Sequence, residues 1–267
     1  MKHIGNNVAS FHCIEGLMPS MSKFCDVLKG CPLCLEPFRN INEEVKEEFS
    51  KEGFRLYATV KATTLVYDPE TDCFLKILHP MTIKSRVLFY LTDRARSIYN
   101  ISEHLLSQGT KVQPVAAYGF IKKGRRPFFA IKKVAGESLY DILIRGGKTP
   151  GMETYRNAIS EVARIHGLGY WLGDAHLSHI FIKGTEVSGL IDIDGIRKNR
   201  PFMLKNLAKD IAGLNHPELP LTKDEKMSLL DHYLDAVEIS KKTPRRLRGV
   251  KKKFIQLIKH YTERRWK

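Results

Sequence analysis

The chain has 267 residues, 43% of them hydrophobic, which is enough to bury a full core and excludes disorder over most of its length. Lys and Arg outnumber Asp and Glu by 44 to 29, and the formal charge of +15 calls for an anionic partner: a nucleotide, a nucleic acid or a phosphate-rich membrane face. No apolar run reaches the roughly 18 residues of a membrane-spanning helix, and "MKHIGNNVASFHCIEGLMPS" has no continuous apolar segment after Lys2, so the sequence reads as cytoplasmic and non-spanning.

Residues 1–50 read as a cysteine-containing extension. Cys13, Cys25, Cys31 and Cys34 crowd into it, and "CPLC" supplies a C-x2-C pair that tetrahedral zinc accepts, with Cys13, Cys25, His3 or His12 as candidates for the remaining ligands. The alternatives are a redox pair, or ordinary reduced thiols in a poorly constrained leader; Met18 and Met21 are further candidate starts, and either would remove Cys13.

From Phe54 the chain is patterned. Phe54, Leu56, Ala58 and Val60 alternate with Arg55, Tyr57, Thr59 and Lys61, the period of a strand with one buried face. A second strand runs through Thr64 to Tyr67, Asp68 and Pro69 make a turn, and "CFLKIL" forms a third strand that stops at Pro80. Lys76 lies inside this apolar strand. It either snorkels from a sheet edge or points into a site where an anion compensates its charge, because a buried lysine without a partner is too costly to keep charged. The order of the later elements favours the second reading: one long helix over residues 83–108, ended by Gly109, then the strands "VAAYGFI" and "PFFAIKKV", then a mostly helical half.

In that half, "GYWLGDAHLSHIFIKG" and "GLIDIDGIR" hold Asp174, His176, His179, Asp192 and Asp194. "FIKGTEVSGLIDID" reads as two short strands, which puts residues 174–179 on the loop before them and Asp192 at the close of the second. Phosphoryl transfer accounts for such a set: one carboxylate receives the acceptor hydroxyl proton, and two further groups hold the metal ions that bridge nucleotide phosphates. Asp174 and His179 are separated as Asp and Asn are in the kinase catalytic loop D-x4-N, and Asp192 comes where a metal-binding aspartate belongs. Taken singly, Asp174 reads as a cap of the next turn and His176 as a structural histidine bonding back to its loop. Asp194, expected to face the same way as Asp192 on an extended strand, is either a second metal ligand or a partner of Arg197.

The last stretch, residues 241–267, carries twelve Lys or Arg against the single Glu263. Phe254, Ile255, Leu257, Ile258 and Tyr261 recur at helical steps, giving one apolar stripe beside a basic surface. Such a helix suits an anionic bilayer surface, and it equally suits packing of the stripe on the core with its lysines solvated. With Phe254, Tyr261 and Trp266 but no reading module, nucleic acid is not an expected partner.

Together "FLKIL", "RARSIYNISEHLLSQG", "VAGESLYDIL", "GDAHLSHIFI", "LIDIDGIR" and "LKNLAKDIAGL" resemble the lipopolysaccharide core kinases, the heptose and 3-deoxy-octulosonic acid (Kdo) kinases of the protein-kinase-like superfamily. The resemblance implies an α+β, bilobal protein-kinase-like fold: an N-lobe of antiparallel sheet plus one long helix over residues 51–133, a mostly helical C-lobe over 134–240, and the basic tail over 241–267. It implies Asp174 as catalytic base, His179 and Asp192 on the metal side, with His at 179 where most kinases have Asn, and Asp210 bracing the catalytic loop from below. Lys76 takes the place of the lysine on the α/β-phosphates. "YATVKATTLVY" stands where the nucleotide-covering loop belongs but lacks its glycines, so Lys61, Thr63 and Thr64 become the candidate phosphate donors. ATP with Mg2+, or Mn2+ given the imidazole of His179, is the implied cofactor set. A lipid-linked core oligosaccharide is the implied substrate, reached peripherally at the inner membrane. One departure is visible: the helix position of the lysine-pairing glutamate holds Ile98, and Glu103 lies about 140° further around. The alternatives are a kinase of the same superfamily acting on a small molecule or protein, and a pseudokinase-type nucleotide-binding adaptor.

Overall fold

Seven strands pair antiparallel, and their order shows why a lysine can sit in the middle of an apolar strand. In a computed structural model that describes residues 1–31, 43–60, 62–200, 203–239 and 248–267, the chain divides into two units, Met1–Glu103 with Pro114–Lys133, and His104–Gln113 with Val134–Lys267. The first unit contains β1 (Lys2–Gly5), β2 (Ala9–Cys13), α1 (Met18–Gly30), α2 (Glu43–Lys51), β3 (Arg55–Val60), β4 (Thr63–Asp68), β5 (Cys73–Leu78), α3 (Ile83–Leu91), most of α4 (Arg94–Ser107), β6 (Val115–Ile121) and β7 (Arg126–Lys132). The sheet order is β1-β2-β6-β7-β5-β4-β3. β5 is therefore internal, with Lys76 opposite Leu65 on β4 and Phe129 on β7, which removes the sheet-edge reading.

Residues 1–31 and 43–51 are not a loose leader. β2 pairs with β6, and α1 and α2 bring Phe24 and Phe49 into a core with Phe11, Phe54 and Phe128. The rings meet at 6.0–6.4 Å, the spacing at which aromatic pairs add to plain area burial. The thiols of Cys13, Cys25 and Cys31 are buried there as free cysteines, and burial raises the pKa of Cys13 and Cys25, which suits inert packing groups. Cys34, the other half of the C-x2-C pair, lies outside the described residues. Among the described residues no group of three or more His, Cys, Asp or Glu is placed to hold a metal by itself.

The helix expected over residues 83–108 is two helices. Thr92 is extended (φ −127°, ψ 145°) and its hydroxyl donates to the Leu88 carbonyl at 2.8 Å, while Asp93 accepts from the Arg96 amide at 2.9 Å and so caps α4. α4 buries Ala95, Ile98, Ser102 and Leu105, whereas α3 buries nothing. Gly109, at φ +77°, ends α4.

The second unit contains β8 (Glu137–Ser138), α5 (Met152–Gly167), β9 (Tyr170–Trp171), β10 (Ile180–Lys183), β11 (Glu186–Leu190), β12 (Arg197–Lys198), α6 (Leu204–Leu214), α7 (Lys223–Ile239) and α8 (Lys251–Arg265). β10 pairs with β11 and β8, and β12 with β9. α5 packs on α7, and α6 on α8. The apolar stripe of α8 is spent in this core: Phe254 is fully buried and stacks on Tyr233 at 5.9 Å, with Ile255, Leu257, Ile258 and Tyr261 packed around it. Of the two readings of that stripe, packing on the core is what Phe254 shows, while Ile255, Leu257, Ile258 and Tyr261 are half-buried against it. No described helix is long and apolar enough to cross a membrane.

The first unit also contains a buried titrating group. His79 is 2% exposed, its Nε2 hydrogen-bonds the Thr64 hydroxyl at 2.8 Å, and burial together with the Arg126 charge lowers its pKa from 6.5 to about 4. The unfolded chain protonates this imidazole first on acidification, so the stability it confers is complete above pH 6.5 and is lost as pH falls toward about 4. Thermal and denaturant unfolding across that window should show a loss near 3 kcal/mol that His79→Gln lacks.

Candidate functional site

The site in the second unit is built upward from a buried carboxylate. Asp210, on α6 and 1% exposed, accepts from the Leu172 amide at 2.6 Å and from the Gly173 amide at 3.2 Å. Its Oδ2 also meets His166 Nε2 at 3.0 Å, and His166 Nδ1 meets the Tyr233 hydroxyl at 2.7 Å. A neutral imidazole protonated at Nε2 satisfies both: it donates to Asp210 and accepts from Tyr233. Every polar end of this chain is used, as burial demands.

Two glycines let the backbone close over this anchor. Gly173 sits at φ +88°, and a side chain there would collide with the Gly195 carbonyl; one at Gly213 would collide with the Ala175 carbonyl. The segment carrying Asp174 is thereby pressed against α6 on one side and against the turn after β11 on the other. His176 starts the short 3-10 turn Leu177–His179, its Nδ1 accepting from the Ser178 amide at 3.1 Å and pairing with the Ser178 hydroxyl at 2.7 Å. It is thus the structural histidine. Burial, then the neighbouring His179, Arg265 and His216, lowers its pKa.

His179 Nδ1 lies 3.0 Å from the Asp174 carbonyl oxygen, so a Nδ1–H donates there and Nε2 is the ring nitrogen left for a ligand. The His179 carbonyl accepts from the Ile191 amide at 2.9 Å, which ties this loop to the chain leading to Asp192. Asp192 adopts a left-handed conformation (φ 64°, ψ 41°) and Asp194 lies in the 3-10 turn Ile193–Gly195. The two do not share a strand face, which corrects the extended reading, since the left-handed residue turns the chain as soon as β11 has ended. Arg197 donates to the Asp194 and Ile196 carbonyls; burial lowers its pKa while the charges of Asp194 and Asp192 act against that fall. Asp174, His176, His179 and Asp192 line one small pocket, closed below by Leu172, Ile180, Ile191 and Ile196.

Two residues beside this site were not assigned to it by the sequence pattern. Arg265, on the last turn of α8, donates to the Asp174 carboxylate at 2.7 Å. Beside it, the indole of Trp266 donates to the Ala212 carbonyl at 3.3 Å and its ring lies 4.5 Å from His216 and 5.8 Å from His176. With side-chain exposures of 30% and 63%, the Arg265–Asp174 pair contributes little stability; its effect is on the occupancy of the Asp174 oxygens.

The other predicted site residues belong to the first unit. Lys76 is half-buried and interacts with its surroundings. Thr63 opens β4 and is half-buried. Thr64 faces the core, fully buried against His79, so its expected role as a phosphate donor is corrected: on the pleat it takes the side opposite Lys76 and Thr63. Lys61 lies outside the described residues. Ile98 is 1% exposed on α4, where a carboxylate could not be accommodated without a partner.

No family model matches the sequence, and no curated protein matches it. Among solved structures, the chain is similar to the bifunctional kinase-methyltransferase WbdD. A medium-resolution structure aligns with 15% identity and a TM-score of 0.44 over 76% of this chain and 47% of that one. A 2.2 Å crystal structure aligns with 14% identity and a TM-score of 0.45 over 78% and 50%, and the monomeric form with 18% and 0.45 over 75% and 44%. The chain spans about half the length of these structures.

The Asp210 network generates a direct test. Asp210→Asn keeps the shape but replaces one acceptor oxygen by a donor facing backbone amides, so urea unfolding should show a loss of about 3 kcal/mol or more. A loss below about 1 kcal/mol would mean that the loop holds itself without this carboxylate.

Proposed function

We propose that the chain is an ATP-dependent kinase that phosphorylates a sugar hydroxyl, heptose or Kdo, of the lipopolysaccharide core at the cytoplasmic face of the inner membrane. The observation that carries the reading is a single pocket lined by Asp192 and by Asp174 and His179, whose loop is held at the Leu172 and Gly173 amides by Asp210. In this reading Asp174 receives the proton of the acceptor hydroxyl. Its position is set by the Asp210 anchor and by the carbonyl bond to His179, so little reorganisation remains for the reaction itself.

The residues present suit a divalent cation carried with nucleotide. Asp192 offers hard carboxylate oxygen and His179 a free Nε2, fewer protein ligands than a dedicated metal cage, which leaves the other positions to water and phosphate oxygens as magnesium prefers. The imidazole favours manganese as an alternative. The bound cation would neutralise charge on the phosphoryl oxygens. In this reading Lys76, Thr63 and Lys61 are assigned to the nucleotide phosphates; Thr64 is not. Arg265 must yield the Asp174 oxygen when the acceptor hydroxyl arrives.

The same contact supports a second reading, a nucleotide-binding adaptor without turnover, because the assigned base is already engaged and Ile98 replaces an expected carboxylate. Transfer of labelled γ-phosphate from ATP to purified core lipid, with magnesium or manganese, separates the two. The kinase reading expects transfer that Asp174→Asn reduces by about a hundredfold or more, the range of general-base catalysis, at unchanged nucleotide affinity. Nucleotide-induced thermal stabilisation without any transfer supports the adaptor. Transfer equal in parent and Asp174→Asn contradicts the assignment of the base.

A further inference from the structure

α3 is a helix without a buried side. None of its residues is buried, and Ile83 is 83%, Leu91 77%, Tyr90 54%, Val87 50% and Leu88 49% exposed. Ile83, Val87 and Leu91 succeed one another at four-residue steps and form one ridge, with Tyr90 and Leu88 on its flanks. A helix of this length is marginal in water without tertiary packing, yet both of its ends are secured locally. Thr82 and Ser85 form a reciprocal capping box, with 3.1 Å and 2.8 Å bonds, and the Thr92 hydroxyl closes the far end on the Leu88 carbonyl. Phe89, half-buried, turns the other way and lines a small recess with Phe120 and Pro127. The apolar ridge is thus held outward on a preformed helix.

The charge around it is predominantly basic. Lys84 and Arg86 are exposed on α3 itself, Arg96 on the first turn of α4, and Lys122 and Lys123 at the turn between β6 and β7 that packs against α3. From residue 81 to 100 the acid present is Asp93, which caps α4, and from 118 to 133 there is none. A long aliphatic ridge with one tyrosine, set in a basic field, complements an anionic lipid surface, where acyl chains take the ridge and phosphates take the lysines and arginines. A second copy of the chain fits less well: the basic fields would face each other, and a helix of 9 residues offers far less than the roughly 800 Å² per partner of a stable protein interface.

We propose that α3, with Lys84, Arg86, Lys122 and Lys123, is the surface through which this protein docks on an anionic bilayer, its ridge of Ile83, Val87 and Leu91 entering the interface. The assignment rests on α3 and the β6–β7 turn beside it and is independent of the phosphotransfer reading. This surface is distinct from the C-terminal helix, whose apolar stripe packs against the core of the second unit.

Co-sedimentation of the full chain with vesicles of phosphatidylcholine alone, and of equal parts phosphatidylcholine and phosphatidylglycerol, tests it. Binding is expected to the anionic vesicles and not to the neutral ones. Ile83→Asp with Leu91→Asp should abolish it, and Lys84→Gln with Arg86→Gln should weaken it about thirtyfold. Both variants should melt with the parent, since no buried side chain is touched; Lys252→Gln with Lys253→Gln on α8 should bind as the parent does. The proposal is overturned if the α3 double variants bind like the parent, if only the α8 variant loses binding, or if no anionic vesicle is bound. It is also overturned if sedimentation velocity shows a parent dimer that Ile83→Asp with Leu91→Asp dissociates, which would assign the ridge to a second copy.

Discussion

The carboxylate of Asp210 is the constraint on which the candidate site depends. Buried and acceptor-only, it has to be surrounded by donors, and the donors it finds are two consecutive backbone amides of the segment that carries Asp174, together with His166. One charge therefore fixes a loop, orients an imidazole, and through that imidazole commits the hydroxyl of Tyr233. Tyr233 in turn stacks on Phe254, so the anchor under the loop and the packing of α8 share one aromatic residue. This explains how a C-terminal helix comes to deliver Arg265 to the Asp174 carboxylate.

Above that anchor the geometry is set by close approach. Glycine at 173 and at 213 allows carbonyls from neighbouring segments into space a methyl group would occupy. His179 bridges the pieces, its Nδ1 near the Asp174 carbonyl and its own carbonyl receiving the Ile191 amide. The left-handed turn at Asp192 then points the chain away from the strand ladder. A non-glycine residue held in that conformation carries a modest conformational cost, which is often found where a side chain is aimed for function.

What could be read from the sequence was whatever depends on local pattern. Period-two alternation marked β3 to β5, the strand pair β10 and β11 was readable from its turn, and Asp174, His179 and Asp192 stood out by spacing. What escaped depends on partners distant in the chain. Arg265 is 91 residues from Asp174, and nothing in "HYTERRWK" separates the arginine that reaches a carboxylate from the one that stays in water. The stripe of α8 was legible as a stripe, but a bilayer and a protein core select the same residues. The break between α3 and α4 had a signal: Asp93 is a cap residue, although continuous apolar periodicity ran across it. The cysteine cluster was legible as ordinary thiols as well as shared chemistry, and Cys13, Cys25 and Cys31 each serve as a small buried apolar group in the packing of the first unit, which spacing alone does not show.

The most direct measurement of the central claim, that the Asp210-anchored loop and Asp192 form one cation–nucleotide site, is a proton NMR titration of the histidine imidazoles with manganese–ATP. Paramagnetic broadening falls steeply with distance from the ion. His179 is predicted to broaden first and His176 next, while His232 on α7, bonded to Ser160 at 2.7 Å, stays sharp, and Asp192→Asn is predicted to remove the effect. Broadening that spares His179, or that survives Asp192→Asn unchanged, would contradict the claim.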